Sequence, residues 1–420
     1  MWLAQPLLRR KLLHRSALEP GYQQAVAERF GSYAQIPVQT HQTLVWIHAV
    51  SLGETRAAAV LIARLRERLP AMRLLLTHGT ATGRAEGAKL LQTDDLQVWL
   101  PWDTRGAVQR FLSHFKPRIG ILMETEVWPN LVSACQRSGV PLVLANARLS
   151  EASLQRALKL AWLARPAYRG LAAVWAQTAD DAARLTTLGA KVQGVLGNLK
   201  FDAKPSTGQL ASGRAWRSRL MRPVVMFASS RAGEEASLLQ ILASLKSTAH
   251  DLQWLIVPRH PQRFDAVAAL IEAHGFGVSR RSDWIDGPPV ASGDIWLGDS
   301  LGEMALYYGL ADVALLGGSF EPLGGQNLIE AAACACPVVM GPHTFNFMAV
   351  AELAQAAGAA QRAATLPAAV AAATLLAHND LQLEAARQAA TVFANTQQGA
   401  AERLAWSLVQ LLADQGSAPS

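Results

Sequence analysis

Short apolar runs alternate with longer stretches of helical periodicity along most of the chain. In the first half the runs are "LVWIHAV" (Leu44 to Val50), "MRLLLTH", "LQVWLPW", "RIGILME", "VPLVLANA" and "AAVWAQT". Runs of this kind suit strands buried on both faces of a parallel sheet. Between them, segments such as Glu54 to Arg68 and Arg105 to Phe115 carry apolar residues at the spacing of one helix face. The second half repeats the rhythm through "VVMFASS", "LQWLIVP", "DIWLGD", "VALLGG" and "PVVMG". Strands alternating with helices predict an α/β fold with parallel sheets. The rhythm breaks at "FDAKPSTGQLASG" (Phe201 to Gly213), which is rich in Pro, Ser and Gly. A boundary there predicts two Rossmann-like domains, residues 1–205 and 206–420, facing a cleft. Ligands of such sheets bind beyond the C-terminal strand ends.

Polar residues gather where the predicted strands end. "SLGET", with Glu54 opening a helix, follows the first strand, and Glu124-Thr125-Glu126 follows "RIGILM". Lys200 follows "VQGVLGN", Arg259-His260-Pro261 ends "LIVP", and "SLGEM", with Gly302 and Glu303, follows "DIWLGD". The last cluster lies in "GGSFEPLGGQNLIEAAACACPVVMGP" (Gly317 to Pro342). Its glycine pairs let the backbone approach a ligand closely. Asn327 stands where a helix would start, as an N-cap, with Glu330 one turn in. A helix mouth suits a phosphate, and a carboxylate beside it can accept from sugar hydroxyls. The pattern therefore fits a nucleotide sugar, and equally a tight turn followed by a capping box.

Composition narrows the partners. Half of the 420 residues are hydrophobic and 17% are charged, enough for large cores in two or three domains. A net charge of +7 points to an anionic partner. No RNA-binding aromatic signature or basic region running into heptads is present, which argues against nucleic acid. Cys135, Cys334 and Cys336 form an odd set without a disulfide pattern, as in a reducing cytoplasm. No D-x-D motif or His cluster calls for a metal, and Cys334-Ala-Cys336 lacks a second ligand pair. No run is long enough to span a membrane. The start, "MWLAQPLLRRKLLHR", instead sets Trp2 and several Leu residues beside Arg9, Arg10, Lys11 and Arg15, as an interfacial segment would.

Taken together, "HAVSLGET", "LPWDTRGAVQRFL", "ILMETEVWPNL", "VPLVLANARLS", "GNLKFD", "VPRHPQRF", "GEMALYYGLADVALLGGS" and "GPHTFNF" resemble the Kdo transferases. They run in order from about His48 to Phe347. Enzymes of that family move 3-deoxy-D-manno-octulosonic acid (Kdo) from CMP-Kdo onto a lipid A precursor, lipid IVA. The resemblance implies the GT-B architecture, with acceptor binding in the first domain and nucleotide binding in the second. It implies a peripheral location on the cytoplasmic face of the bacterial inner membrane and no cofactor. By position, Glu54 would be the general base, and Glu124 and Lys200 would stabilise the transition state. Pro258, Arg259, Leu301, Gly302, Glu303, Asn327, Leu328, Ile329 and Glu330 would hold CMP. The chain departs from the family at "GGQNLIE", usually "GGHNPLE", so Gln326 replaces His and Leu328 replaces Pro. It also reads "ASSRAGEEA" where "ASTHEGEE" is common, with Arg231 for His. The rival enzyme class is a nucleotide-sugar epimerase of the same two-domain plan. The non-enzymatic rival is a membrane-surface scaffold.

Overall fold

The computed structural model describes residues 19–35, 43–245, 251–289 and 295–416. The Trp2–Arg15 segment expected at a membrane lies outside the described residues. The chain forms two compact units, residues 1–203 with 398–420, and residues 204–397.

The first unit is built on a seven-stranded parallel sheet in the order β3-β2-β1-β4-β5-β6-β7. Its strands are β1 (Thr43–His48), β2 (Met72–His78), β3 (Leu96–Trp99), β4 (Ile119–Met123), β5 (Leu142–Ala147), β6 (Ala173–Ala176) and β7 (Val192–Val195). Successive side chains of a strand point to opposite faces, and β1 makes the consequence plain. Leu44 and Trp46 enter one core with Phe111, Phe115 and Leu131. Val45 and Ile47 enter the other with Leu61, Leu404 and Leu408. Both faces are covered by helices, so every position must be apolar, and the run reads as continuous rather than alternating.

The second unit carries another seven-stranded parallel sheet, ordered β10-β11-β9-β8-β12-β13-β14. These are β8 (Val224–Ser230), β9 (Gln253–Pro258), β10 (Val278–Arg280), β11 (Ile295–Leu297), β12 (Val313–Leu316), β13 (Val338–Met340) and β14 (Ala360–Arg362). The strand order reverses between β1 and β4 in the first sheet and between β8 and β12 in the second, where β11 also inserts between β9 and the edge strand β10. Crossover connections leave the two flanking strands in opposite directions there, and a crevice opens at their C-terminal ends.

The expected second domain, 206–420, needs correction. The stretch after Gln397 returns to the first unit, where the helix Ala400–Gly416 packs beside the helix Leu52–Arg68. Ala401, Leu404, Ala405 and Leu408 complete the core under Leu61 and Leu65. The Asp202 carboxylate fixes the return by accepting from the main-chain N–H groups of Gly399 and Ala401. Leu408 is wholly buried, so Leu408→Ala should cost about 2–5 kcal/mol. Hydrogen exchange should then quicken in the helix Leu52–Arg68 and leave β8 and β9 protected. Equal loosening of both units would contradict the placement of this helix.

Candidate functional site

The reversal point of the first sheet holds two acids. Glu54 sits in the first turn of the helix Leu52–Arg68, whose N-cap is Ser51. Its carboxylate accepts from Val50 N at 2.9 Å and from the Ser51 hydroxyl at 3.1 Å. Burial pushes its pKa up to about 7; the Val50 bond opposes the rise, and the charges of Glu124 and Glu126 add to it. Helix-start N–H groups would by themselves favour the ionised form, so desolvation wins here.

Glu124 follows β4 directly. Its φ of 57° places a non-glycine residue in the left-handed region, which side chains avoid unless neighbours hold them there. The holding bonds are Glu124 N to Ala145 O and Arg148 N to Glu124 O, both 3.0 Å. The buried carboxylate meets Lys200 Nζ at 2.8 Å. Lys200 comes from the turn after β7, and its own N–H is capped by Asn198 Oδ1 at 2.9 Å. Glu54, Glu124 and Lys200, distant in sequence, thus meet at one edge of one sheet.

Several positioning groups escaped the motif reading. Asn146, at the end of β5 with φ 51°, accepts from Leu199 N at 3.1 Å and so ties the Lys200 turn to the sheet. Its Nδ2 is buried without a hydrogen-bond partner. Asp103 receives Asn130 N at 3.1 Å and Leu131 N at 2.8 Å, which caps the helix Pro129–Arg137 behind Glu126. His48 and His78 lie buried beneath, with pKa values depressed by burial to about 3 and about 4. They are neutral network members at physiological pH. The only early sign of these groups was that all but His78 fall inside the stretches carrying the family resemblance.

In the second unit the clusters after β9, β11 and β12 occupy the same kind of edge. Pro258 ends β9, and Arg259 is exposed beyond it, its N–H donating to Ser230 O at 3.0 Å. Leu301 is 72% exposed. Gly302 has φ 80°, and its carbonyl accepts from Gln209 Nε2 at 2.9 Å. The Glu303 carboxylate meets Arg281 at 2.9 Å and also accepts from the Ser300 hydroxyl. At the β8–β12 reversal, a Cβ on Gly317 would lie 2.3 Å from Ser229 O, so only glycine fits. Buried Glu234 ties the two strand ends together, accepting from Gly318 N at 2.8 Å and from Arg231 N at 2.9 Å.

Asn327 does not cap a helix in the expected way. The helix is Ile329–Ala333, its N-cap is Leu328, and Asn327 Oδ1 accepts from Ile329 N at 3.1 Å in a local turn. Leu328 and Ile329 are 1% exposed, so their side chains belong to the core. Glu330 lies in the first turn of that helix.

Two parallel-sheet α/β domains, each with polar residues at a strand-order reversal, define the class as a GT-B glycosyltransferase or an enzyme sharing that fold. The chain superposes on a glycosyltransferase from Rickettsia africae ESF-5 with a TM-score of 0.59, at 13% identity, over 90% of this chain and 100% of that one. It superposes on UDP-GlcNAc 2-epimerase from Neisseria meningitidis with a TM-score of 0.57, at 14% identity, over 88% and 100%. These likenesses establish the fold. The family model for 3-deoxy-D-manno-octulosonic-acid transferase (kdotransferase) matches residues 24–203. The chain is 50% identical to the 3-deoxy-D-manno-octulosonic acid transferase of Bordetella pertussis, over 80% of this chain and 79% of that one. It is 34% identical to that of Haemophilus influenzae, over 82% and 81%. The chain belongs to the Kdo transferase family.

Burial of Glu54 makes a stability prediction. Its pKa rises from 4.5 to about 7 on folding, so between those values the folded chain binds a proton that the unfolded chain has released. This contribution is complete below about pH 4.5, falls as pH rises through about 7, and stays lost above. Glu54→Gln should therefore melt higher than wild type at pH 8, with the gap closing toward pH 4. Scanning calorimetry across that range is the check. A constant offset would mean that the wild-type carboxyl is not desolvated.

Proposed function

We propose that the chain transfers Kdo from CMP-Kdo onto a lipid A precursor, lipid IVA. The observation that carries this reading is Glu54, a half-buried carboxylate with pKa near 7, set beside the Glu124–Lys200 ion pair. A base acts best when its pKa lies near the working pH. Glu54 removes the proton of the acceptor hydroxyl, and that oxygen attacks the anomeric carbon of Kdo. The bond from that carbon to the phosphate oxygen breaks, and CMP leaves with the electron pair. Lys200, oriented by Glu124, offsets negative charge that grows in the transition state. Pro258, Arg259, Leu301, Gly302, Glu303 and the turn Asn327 to Glu330 hold the CMP moiety. No cofactor is needed for this displacement.

The first unit also offers a surface suited to a lipid acceptor. Leu160, Trp162 and Leu163 are 53%, 75% and 40% exposed. Exposed Arg156, Lys159, Arg165 and Arg169 share their helices, Glu151–Lys159 and Ala161–Arg169. Apolar side chains rimmed by cations fit the interface of an anionic membrane, where each basic residue contributes about 1 kcal/mol. Among the described residues no helix is long and apolar enough to cross a membrane. The exposed apolar and basic patch supports peripheral attachment to an anionic membrane surface, on this reading the cytoplasmic face of the inner membrane.

Incubation with CMP-Kdo and lipid IVA, read by mass spectrometry, should yield the acceptor plus Kdo. Isomerised donor with unmodified acceptor would support an epimerase instead. Glu54→Gln should lower turnover by roughly a hundredfold or more with CMP affinity kept by calorimetry. Near-wild-type turnover would remove Glu54 from its role. Trp162→Glu should reduce sedimentation with vesicles of anionic phospholipid while sparing activity on detergent-dispersed acceptor; unchanged sedimentation would exclude this patch.

A further inference from the structure

Arg231 stands at the reversal point of the second sheet, one residue beyond β8 and across from Gly317 and Gly318 after β12. Its Nη1 donates to His260 Nε2 at 2.9 Å. A guanidinium has donors only, so that imidazole nitrogen must be bare, and His260 is neutral with its proton on Nδ1. Burial and the neighbouring charges of Arg231, Arg259 and Arg263 act in the same direction on the ring. The nearby acids are committed elsewhere. Glu234 accepts from the main-chain N–H groups of Gly318, Phe320 and Arg231. Glu235 accepts from Ser230 and Arg263, both at 3.0 Å. Among the described residues, none of the ion pairs in this part of the unit neutralises Arg231. Gly318 has φ 70°, and a Cβ there would lie 3.1 Å from Gln326 Nε2 and 3.6 Å from Arg231 Cγ. Two of the residues that depart from the family pattern, Arg231 and Gln326, therefore border the same residue with no side chain.

We propose that Arg231 is a donor-binding residue whose guanidinium grips an oxyanion of the donor at the β8–β12 reversal, where the Gln326 amide also borders Gly318. The proposal rests on the reading of the donor as a nucleotide-linked sugar acid. Such a donor brings two oxyanions close together, a phosphate and a carboxylate, and a guanidinium fork matches either one bidentately. His260 serves as the neutral resting partner that keeps the fork in place without cancelling its charge. An acid in that position would compete with the ligand.

The test uses the full chain with Arg231→Gln and Arg231→Lys, CMP binding by calorimetry and steady-state kinetics with CMP-Kdo. Arg231→Gln should raise KM for CMP-Kdo by roughly tenfold to a hundredfold, the scale of a lost hydrogen-bonded charge. Arg231→Lys should fall between it and wild type, and all three proteins should melt alike. An equal loss of affinity for CMP assigns the fork to the phosphate, whereas a loss confined to CMP-Kdo assigns it to the sugar carboxylate. Unchanged KM and CMP affinity in folded Arg231→Gln would overturn the proposal. If wild type binds CMP but does not use CMP-Kdo, the transferase reading fails by itself. CMP affinity of Arg231→Gln then decides the role of Arg231 separately: a loss supports it, and no change refutes it.

Discussion

Parallel pairing is the constraint from which the rest follows. A strand cannot turn directly into a parallel neighbour; the chain must cross the sheet through a helix and re-enter at the same end. Every strand of both sheets therefore begins at one edge and ends at the other. Main-chain groups released at the ending edge, together with the starts of the following helices, gather on one side of each unit. Where strand order reverses, the crossovers diverge and leave that edge uncovered. Glu54 and Glu124 flank this gap in the first unit, and Arg231 and Gly317 flank it in the second. The chemistry lies where the topology cannot cover the sheet.

Backbone strain reaches the C-terminal strand ends as well. Glu124, Asn146 and Ser229 all carry positive φ without being glycine. The pairing of β5 with β6 slips near Asn146, and that of β8 with β9 slips near Ser229. A bulge re-aims the residues after it. At Asn146 it frees a side-chain oxygen to hold the Lys200 turn, and at Ser229 it brings a carbonyl against Gly317. Each strained residue costs on the order of 1–3 kcal/mol, which the buried strands behind it must offset.

The interior strands were legible in the sequence because burial on both faces leaves continuous apolar runs. The three-residue strands Val278–Arg280 and Ala360–Arg362 were not legible, since as edge strands they carry polar residues and little hydrophobic signal. The return of the last helix was hidden for another reason. Its apolar face packs with Leu61 and Leu65 and its start is held by the Asp202 carboxylate, contacts between residues far apart in sequence. Asn327 misled because Asn favours both N-caps and local turns, and the turn won. The acids and cations of the site stood out at strand ends. Asn146 and Glu234 did not, because their work is to hold main-chain N–H groups that no linear pattern displays.

The two units differ in their electrostatics, and the difference has a physical reason. Around Glu54 the neighbours are Glu124 and Glu126, which with desolvation keep a proton affinity near neutrality. Lys200 is paired with the Glu124 carboxylate. A free guanidinium beside Glu54 would favour its ionised form and weaken it as a base. Around His260 the balance is reversed: Arg231, Arg259 and Arg263 crowd a neutral ring, and Glu234 is turned toward main-chain N–H groups. A carboxylate opposite Arg231 would fill the place an anionic ligand needs. Glu54 and Arg231 belong to separate sheets, and each electrostatic setting is tuned by its own neighbours.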